Sequence, residues 1–167
     1  MTSPRPRTQR AATFCAGLAV AALALAGCSA TNPMTTQDEY SASDGVFAQI
    51  GDVRGLNLLI LAGAEGEPGS LQGGLANDST GDRLVTLAVG DEETTVSVGP
   101  KETVLLGLGR GEDEGYAEVL FPSVEVPPGA TQEMTISTPE DGSIVVAVPV
   151  LDGTLPEYAT AIPSATS

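Results

Sequence analysis

The chain has 167 residues and a formal charge of −15, with 22 acidic side chains against seven basic ones. That balance excludes nucleic acid as a partner, because binding phosphate needs clustered Lys and Arg. With no histidine, no tryptophan and two cysteines, the usual nucleophile–base pairs and aromatic-lined clefts have little to be built from.

The first element is a short export-type segment. Arg5, Arg7 and Arg10 precede an apolar run, Ala11 to Ala26, that ends in Leu25-Ala26-Gly27-Cys28. The run falls short of the roughly 20 residues that span a bilayer. A basic stretch, an apolar stretch and a small-residue site in that order read as a signal peptide, residues 1–27. The closing tetrad resembles the bacterial lipobox. That resemblance implies cleavage between Gly27 and Cys28, an S-diacylglyceryl group on Cys28 and acylation of its new N-terminus. Diacylglycerol brings two acyl chains, which is what stable anchoring takes. The expected location is therefore the extracytoplasmic face of the cell membrane, with the lipid bilayer as a partner through Cys28. Cys15 would leave with the signal, so no disulfide and no free thiol would remain. Processing would leave four basic residues, Arg54, Arg83, Lys101 and Arg110, and a formal charge of −18.

Residues 28–44 are small and polar and read as a lipidated N-terminus with a flexible linker. The predicted domain is 45–152. Val46 to Ile50 is β-prone. Leu56 to Ala62 (LNLLILA) is a continuous apolar run, as in a strand buried on both faces. Leu71 to Ala76 follows the turn signal Gly66-Glu67-Pro68-Gly69. Leu84 to Val89, Thr94 to Val98 and Thr103 to Leu108 are separated by Gly90-Asp91 and Gly99-Pro100. A charged glycine-rich loop, Gly109 to Gly115, comes next. Tyr116 to Val126 suggests one strand crossed by Pro122. Thr131 to Ser137 alternates, and Ser143 to Val150 is strongly β-branched, with Pro149 expected at an edge or bulge. Residues 153–167 read as a disordered tail. Eight or nine short strands between regular turn signals predict an all-β Greek-key sandwich or barrel.

The order of these segments resembles the PCu(A)C periplasmic copper chaperone family and its actinobacterial lipoprotein relatives. Leu75 to Val85, Val124 to Ile136 and Gly142 to Val150 carry the likeness, which covers roughly residues 45 to 151. It implies a cupredoxin-like, immunoglobulin-like fold. Chaperones of this family hold Cu(I) through His and Met. Here there is no histidine, and the methionines are Met1, Met34 and Met134. Cu(I) sites select soft or imidazole ligands, and one Met in a strand cannot make one. The resemblance therefore carries over a fold and no metal ligand.

The remaining candidates are weak. Asn77, Asp78 and Asp82 share one turn, Asp91 to Glu93 a second, and Glu112 to Glu114 a third. None has the spacing of a calcium loop. They read as solvated turn residues, with Asn77 and Asp78 bonding their own backbone. Lys101 is the only lysine, and nothing around it suggests activation. The sequence thus predicts no catalytic residue, no metal site and no cofactor. The expected function is that of a non-enzymatic, membrane-anchored binding or structural module, with an envelope protein or cell-wall component as partner. The alternative is a copper chaperone-like carrier with non-standard ligands.

Overall fold

The computed structural model describes residues 43–108 and 115–164. Ten strands and no helix occur among them. They are β1 (Val46–Ile50), β2 (Val53–Ala62), β3 (Gly69–Asn77), β4 (Arg83–Val89), β5 (Glu92–Val98), β6 (Thr103–Leu106), β7 (Tyr116–Ala117), β8 (Leu120–Phe121), β9 (Thr131–Thr138) and β10 (Gly142–Leu151). The all-β architecture expected from the sequence is what forms. The stretch from Tyr116 to Val126 gives two very short strands rather than one.

β5, β4, β9 and β10 make an antiparallel four-stranded sheet. β1, β2, β3, β6, β7 and β8 make the second sheet. The chain crosses between them after β3, β5 and β8, the pattern of a Greek-key sandwich. The end of β10 joins the two sheets, because Val150 and Leu151 pair in parallel with Ile60 and Leu61. Pro149 stands at that handover. The Val150 N–H points back toward the β9 side, to the carbonyl of Ala130 at 2.9 Å. The nitrogen of Pro149 therefore faces away from β9, where no ladder bond is lost.

Alternation sets which side chains meet. In β9, Gln132, Met134, Ile136 and Thr138 are buried, and the residues between them are not. Leu71, Leu75, Val85, Leu87, Phe121 and Ile136 are among the side chains that fill the space between the sheets. With no tryptophan available, Phe121 is the largest fully buried side chain, at 1 % exposure.

β2 departs from alternation, and its sequence says why. Leu58 to Ala62 are all buried. Leu58, Ile60 and Ala62 belong to the core cluster, whereas Leu59 and Leu61 do not and face the other way. The segment after β10 covers that outer face. The buried Ser70 hydroxyl, opposite Leu61, donates to the carbonyl of Ala161 at 2.6 Å. Ile162 lies beside Gly63 and Gly153. The Tyr158 hydroxyl donates to Asp44 at 2.7 Å, and this bond is the main reason its pKa is raised. The apolar outer face of β2 gives residues 153–164 something to pack on. Residues 165–167, and residues 1–42 with the expected signal peptide and most of the expected linker, lie outside the described residues.

β2 also carries a bulge. Leu56 pairs with Gly74 and Leu59 with Gln72, so two residues oppose Gly73 alone. Asn57 takes the left-handed conformation (φ 50°), which Asn tolerates better than most residues. Its side-chain oxygen accepts from the Ser43 hydroxyl and the Gly45 N–H. A Cβ on Gly73 (φ 130°) would sit 2.6 Å from the Leu56 carbonyl oxygen, so no other residue fits without displacing β2.

Truncating the core should be costly and truncating the open face should not. Phe121→Ala is expected to destabilise by about 3–5 kcal/mol. Val145→Ala, at a position 64 % exposed, should stay within about 0.5 kcal/mol. Denaturant unfolding of both variants checks this.

Candidate functional site

The densest polar constellation lies at the end of the barrel where β2 and β4 begin and β3 and β5 finish. Asn77 is the last residue of β3. It shares the inward phase of Leu71 and Leu75 and is 1 % exposed. Its amide nitrogen donates to the carbonyls of Gly81 (2.7 Å), Gly99 (2.9 Å) and Val98 (3.1 Å). Two N–H groups serve three acceptors, so one bond is shared. Its oxygen accepts the Ser79 N–H at 2.9 Å. That last contact is the turn geometry expected from the sequence. The bonds to Val98 and Gly99 reach more than 20 residues along the chain, and nothing in the sequence marks them.

Backbone bonds tie the same loops together. Asn77 N–H donates to Glu102, Asp78 N–H to Asp52, and Lys101 N–H to Ser79. Around them sit Arg54, Arg83 and Lys101, the three basic residues that fall within the described part. Arg54 grips Asp78 with two bonds of 2.6 and 3.1 Å. The hydrogen bond from Arg54 is the main cause that holds the Asp78 carboxyl below the usual range, and the same bond raises the Arg54 pKa. Arg83 lies 3.6 Å from Asp52. The Lys101 ammonium donates to the carbonyl of Asp78. Lys101 does so from a left-handed conformation, φ 58°, where a lysine is strained. Its N–H and its ammonium both bond within this cluster, which holds it there. The arrangement is a clasp between turns. Its charges face one another, and the Nε of Arg83 is the one buried side-chain polar atom without a partner among the described residues.

The other sequence candidates fall apart in space. Cys28 and Gly27 lie outside the described residues, as do Glu112 to Glu114. Asp91, Glu92 and Glu93 are exposed on and beside the β4–β5 turn. Met134 is fully buried in the core cluster, so its sulfur faces apolar neighbours. No group of three or more His, Cys, Asp or Glu able to hold a metal occurs among the described residues. The buried polar side chains Ser70, Gln132 and Thr138 are also all hydrogen-bonded. A shallow depression of about 270 Å³ is lined by Pro128, Gly129, Leu151, Asp152, Leu155 and Tyr158. Asp152 there accepts from Thr154, which lowers its pKa. The depression offers no pair of groups poised for proton transfer.

No family model matches the sequence, and no curated protein is similar to it at a significant level. Solved structures similar to the chain include PCuAC domains. One is the apo PCuAC domain from PmoF1, 20 % identical, with a TM-score of 0.49, covering 63 % of this chain and 98 % of that one. Another is the copper-bound PCuAC domain from PmoF2, also 20 % identical, with a TM-score of 0.46, covering 64 % and 98 %. A likeness of this size leaves function to be argued from this chain's own residues.

Two outcomes test the clasp. Asn77→Ala removes the amide that serves Val98 and Gly99, while the Gly81 carbonyl keeps the Ser79 hydroxyl, and should cost about 1–3 kcal/mol in chemical denaturation. Asp78 titrates lower in the folded chain than its ordinary 3.8. Its stabilising effect is therefore complete above that value and is lost as pH falls through the lower folded pKa. Asp78→Asn should make the acid limb of the Tm-against-pH curve shallower, leaving the neutral limb parallel to that of the unmodified chain.

Proposed function

We propose that this is a lipid-anchored protein of the extracytoplasmic membrane face that acts by binding rather than catalysis. The observation that carries the reading is the position of Leu25-Ala26-Gly27-Cys28 behind a basic and then an apolar stretch. The clasp supports it from the other side. Its charges are spent on one another, so that end of the barrel offers no free group for chemistry. An envelope protein or cell-wall component is the partner class that suits an anchored domain with 22 acidic residues and no histidine.

A copper carrier is the competing reading, and the solved neighbours bring it to mind. Against it stand the absence of histidine from the sequence and the burial of Met134. Carboxylates, which remain, favour hard ions over Cu(I).

Cys28→Ala should abolish incorporation of a labelled fatty acid and release the protein from the membrane fraction. A variant that stays labelled and membrane-bound would remove the anchor from the reading. Copper is checked separately, by elemental analysis of the purified chain after equilibration with Cu(I). Stoichiometric copper would replace this proposal with the carrier.

A further inference from the structure

The depression of about 270 Å³ lies where β10 ends and the segment after it folds back, with Pro128, Gly129, Leu151, Asp152, Leu155 and Tyr158 as its lining. Two local devices bring these residues together. The Gly129 N–H donates to the Val150 carbonyl at 2.8 Å, which sets the turn before β9 beside the end of β10. The N–H groups of Tyr158 and Ala159 both donate to the Leu155 carbonyl, a tight turn that puts Leu155 and Tyr158 on the lining together. The volume is below the roughly 300–1,000 Å³ of sites for drug-sized ligands, and is room for a single side chain. Leu155 is 47 % exposed, so this apolar wall stands open to whatever enters.

The one ionisable carboxyl on the lining is that of Asp152. Its Oδ1 accepts the Thr154 N–H at 3.0 Å, and its Oδ2 has no hydrogen-bond partner among the described residues. The donors of the lining are engaged elsewhere: the Gly129 N–H with Val150, the Tyr158 N–H with Leu155, and the Tyr158 hydroxyl with Asp44 at 2.7 Å. Asp44 and Glu157 add negative charge beside Tyr158. The basic residues of the described part, Arg54, Arg83 and Lys101, are all held in the clasp. Leu151 pairs with Leu61, which is seven residues along β2 from Arg54, or about 20 Å. An anion would meet only uncompensated carboxylates here, whereas a cationic head on an apolar stem has a place for each part. A guanidinium binds best to two carboxylate oxygens in parallel, and Thr154 already holds one of them. An ammonium is a point charge that one free oxygen serves. The four-carbon stem of a lysine can lie along Leu151 and Leu155, and the Tyr158 ring offers a π face to its charge.

We propose that the depression at the end of β10 receives a lysine side chain of a partner polypeptide, its ammonium on Asp152 and its stem against Leu151 and Leu155. Such a site gives the binding role proposed above a first contact, and it rests on that role. The membrane anchor is independent of it and is reported separately by fatty-acid labelling of Cys28→Ala.

NMR titration of the isotope-labelled full chain, in a neutral detergent, with end-capped Gly-Lys-Gly, Gly-Arg-Gly and Gly-norleucine-Gly tests it. The lysine peptide should give saturable amide shifts centred on Leu151, Asp152, Leu155 and Tyr158, in about the millimolar range that one side chain supports. Norleucine keeps the stem and loses the charge, and should bind about tenfold more weakly. The arginine peptide should bind at least about threefold more weakly than the lysine peptide. Both carry the same charge, so general attraction to an acidic chain would treat them alike. Asp152→Asn keeps an oxygen for the Thr154 N–H and removes the charge, and should weaken lysine binding about tenfold. Leu155→Ser, at an exposed position, should weaken it about threefold through the lost stem contact. Thermal melts check that each variant is folded, and where Asp152→Asn is not, Leu155→Ser decides. The absence of saturable shifts at these residues overturns the proposal. So does an arginine or norleucine peptide that binds as tightly as the lysine peptide, or a folded variant that binds lysine like the unmodified chain.

Discussion

Asn77 ends β3 with its side chain inside the barrel, where the end of β5 and the turns after β3 and β5 converge. Val98 is buried there and Gly99 half-buried, and an unpaired buried acceptor costs about 1–3 kcal/mol. A single amide resolves this by serving Gly81, Val98 and Gly99 at once. Few other side chains could do so. Aspartate has no donor, serine is too short to reach three acceptors, and a lysine would bring an unneeded charge. β3 is also the strand on which β2, β6 and β8 all lean. Where its last residue points therefore fixes how the β4–β5 hairpin is set against the rest.

The clasp also explains how so acidic a chain uses its few cations. Arg54 comes from β2, Arg83 from β4 and Lys101 from the turn after β5, yet all three serve Asp52 and Asp78 at the Asn77 end. Both ion pairs have exposed carboxylates, although Arg83 is half-buried, and each is worth little alone. Their value is positional, because they join turns that the backbone brings together only through Asn77 and a few N–H bonds. Positive charge used in this way is not free to bind an anion. The other described acidic side chains lie mostly on turns and outer faces, where water screens them.

The strands were legible because their sequences alternate or run apolar for a physical reason. TQEMTIST alternates since one face of β9 meets the core. LNLLILA does not, since β2 is covered on both sides. What the sequence could not disclose is partnership. Tyr116 to Val126 looks like one strand, but Tyr116 pairs with β6, the Val119 carbonyl accepts from Leu71, and Leu120 pairs with β3. β6 and β8 occupy different ends of the same edge of β3, so the stretch changes neighbours and breaks. The left-handed Asn57 and Lys101 were equally hidden. Each adopts its conformation because of contacts 12 or more positions away, to Gly45 in one case and to Asp78 and Ser79 in the other. The fold of residues 153–164 follows the same logic: their composition is that of a tail, and only the exposed apolar side of β2 makes them pack.

These features also bear on where the protein can act. Among the described residues, several buried polar and soft side chains are committed to the fold. Met134 is enclosed by the core, and Asn77, Gln132 and Thr138 are bonded to the chain itself. One outer face, that of β2 and the adjoining part of β3, is covered by the segment running to Ile162. The four-stranded sheet has no such cover among the described residues. Its outer face presents Thr86, Thr95, Thr135, Ser137, Ser143 and Val145, with charge confined to Glu93 and Glu133 toward one end. In a domain whose turns are otherwise acidic, that nearly neutral face is where another acidic polypeptide meets the least electrostatic resistance.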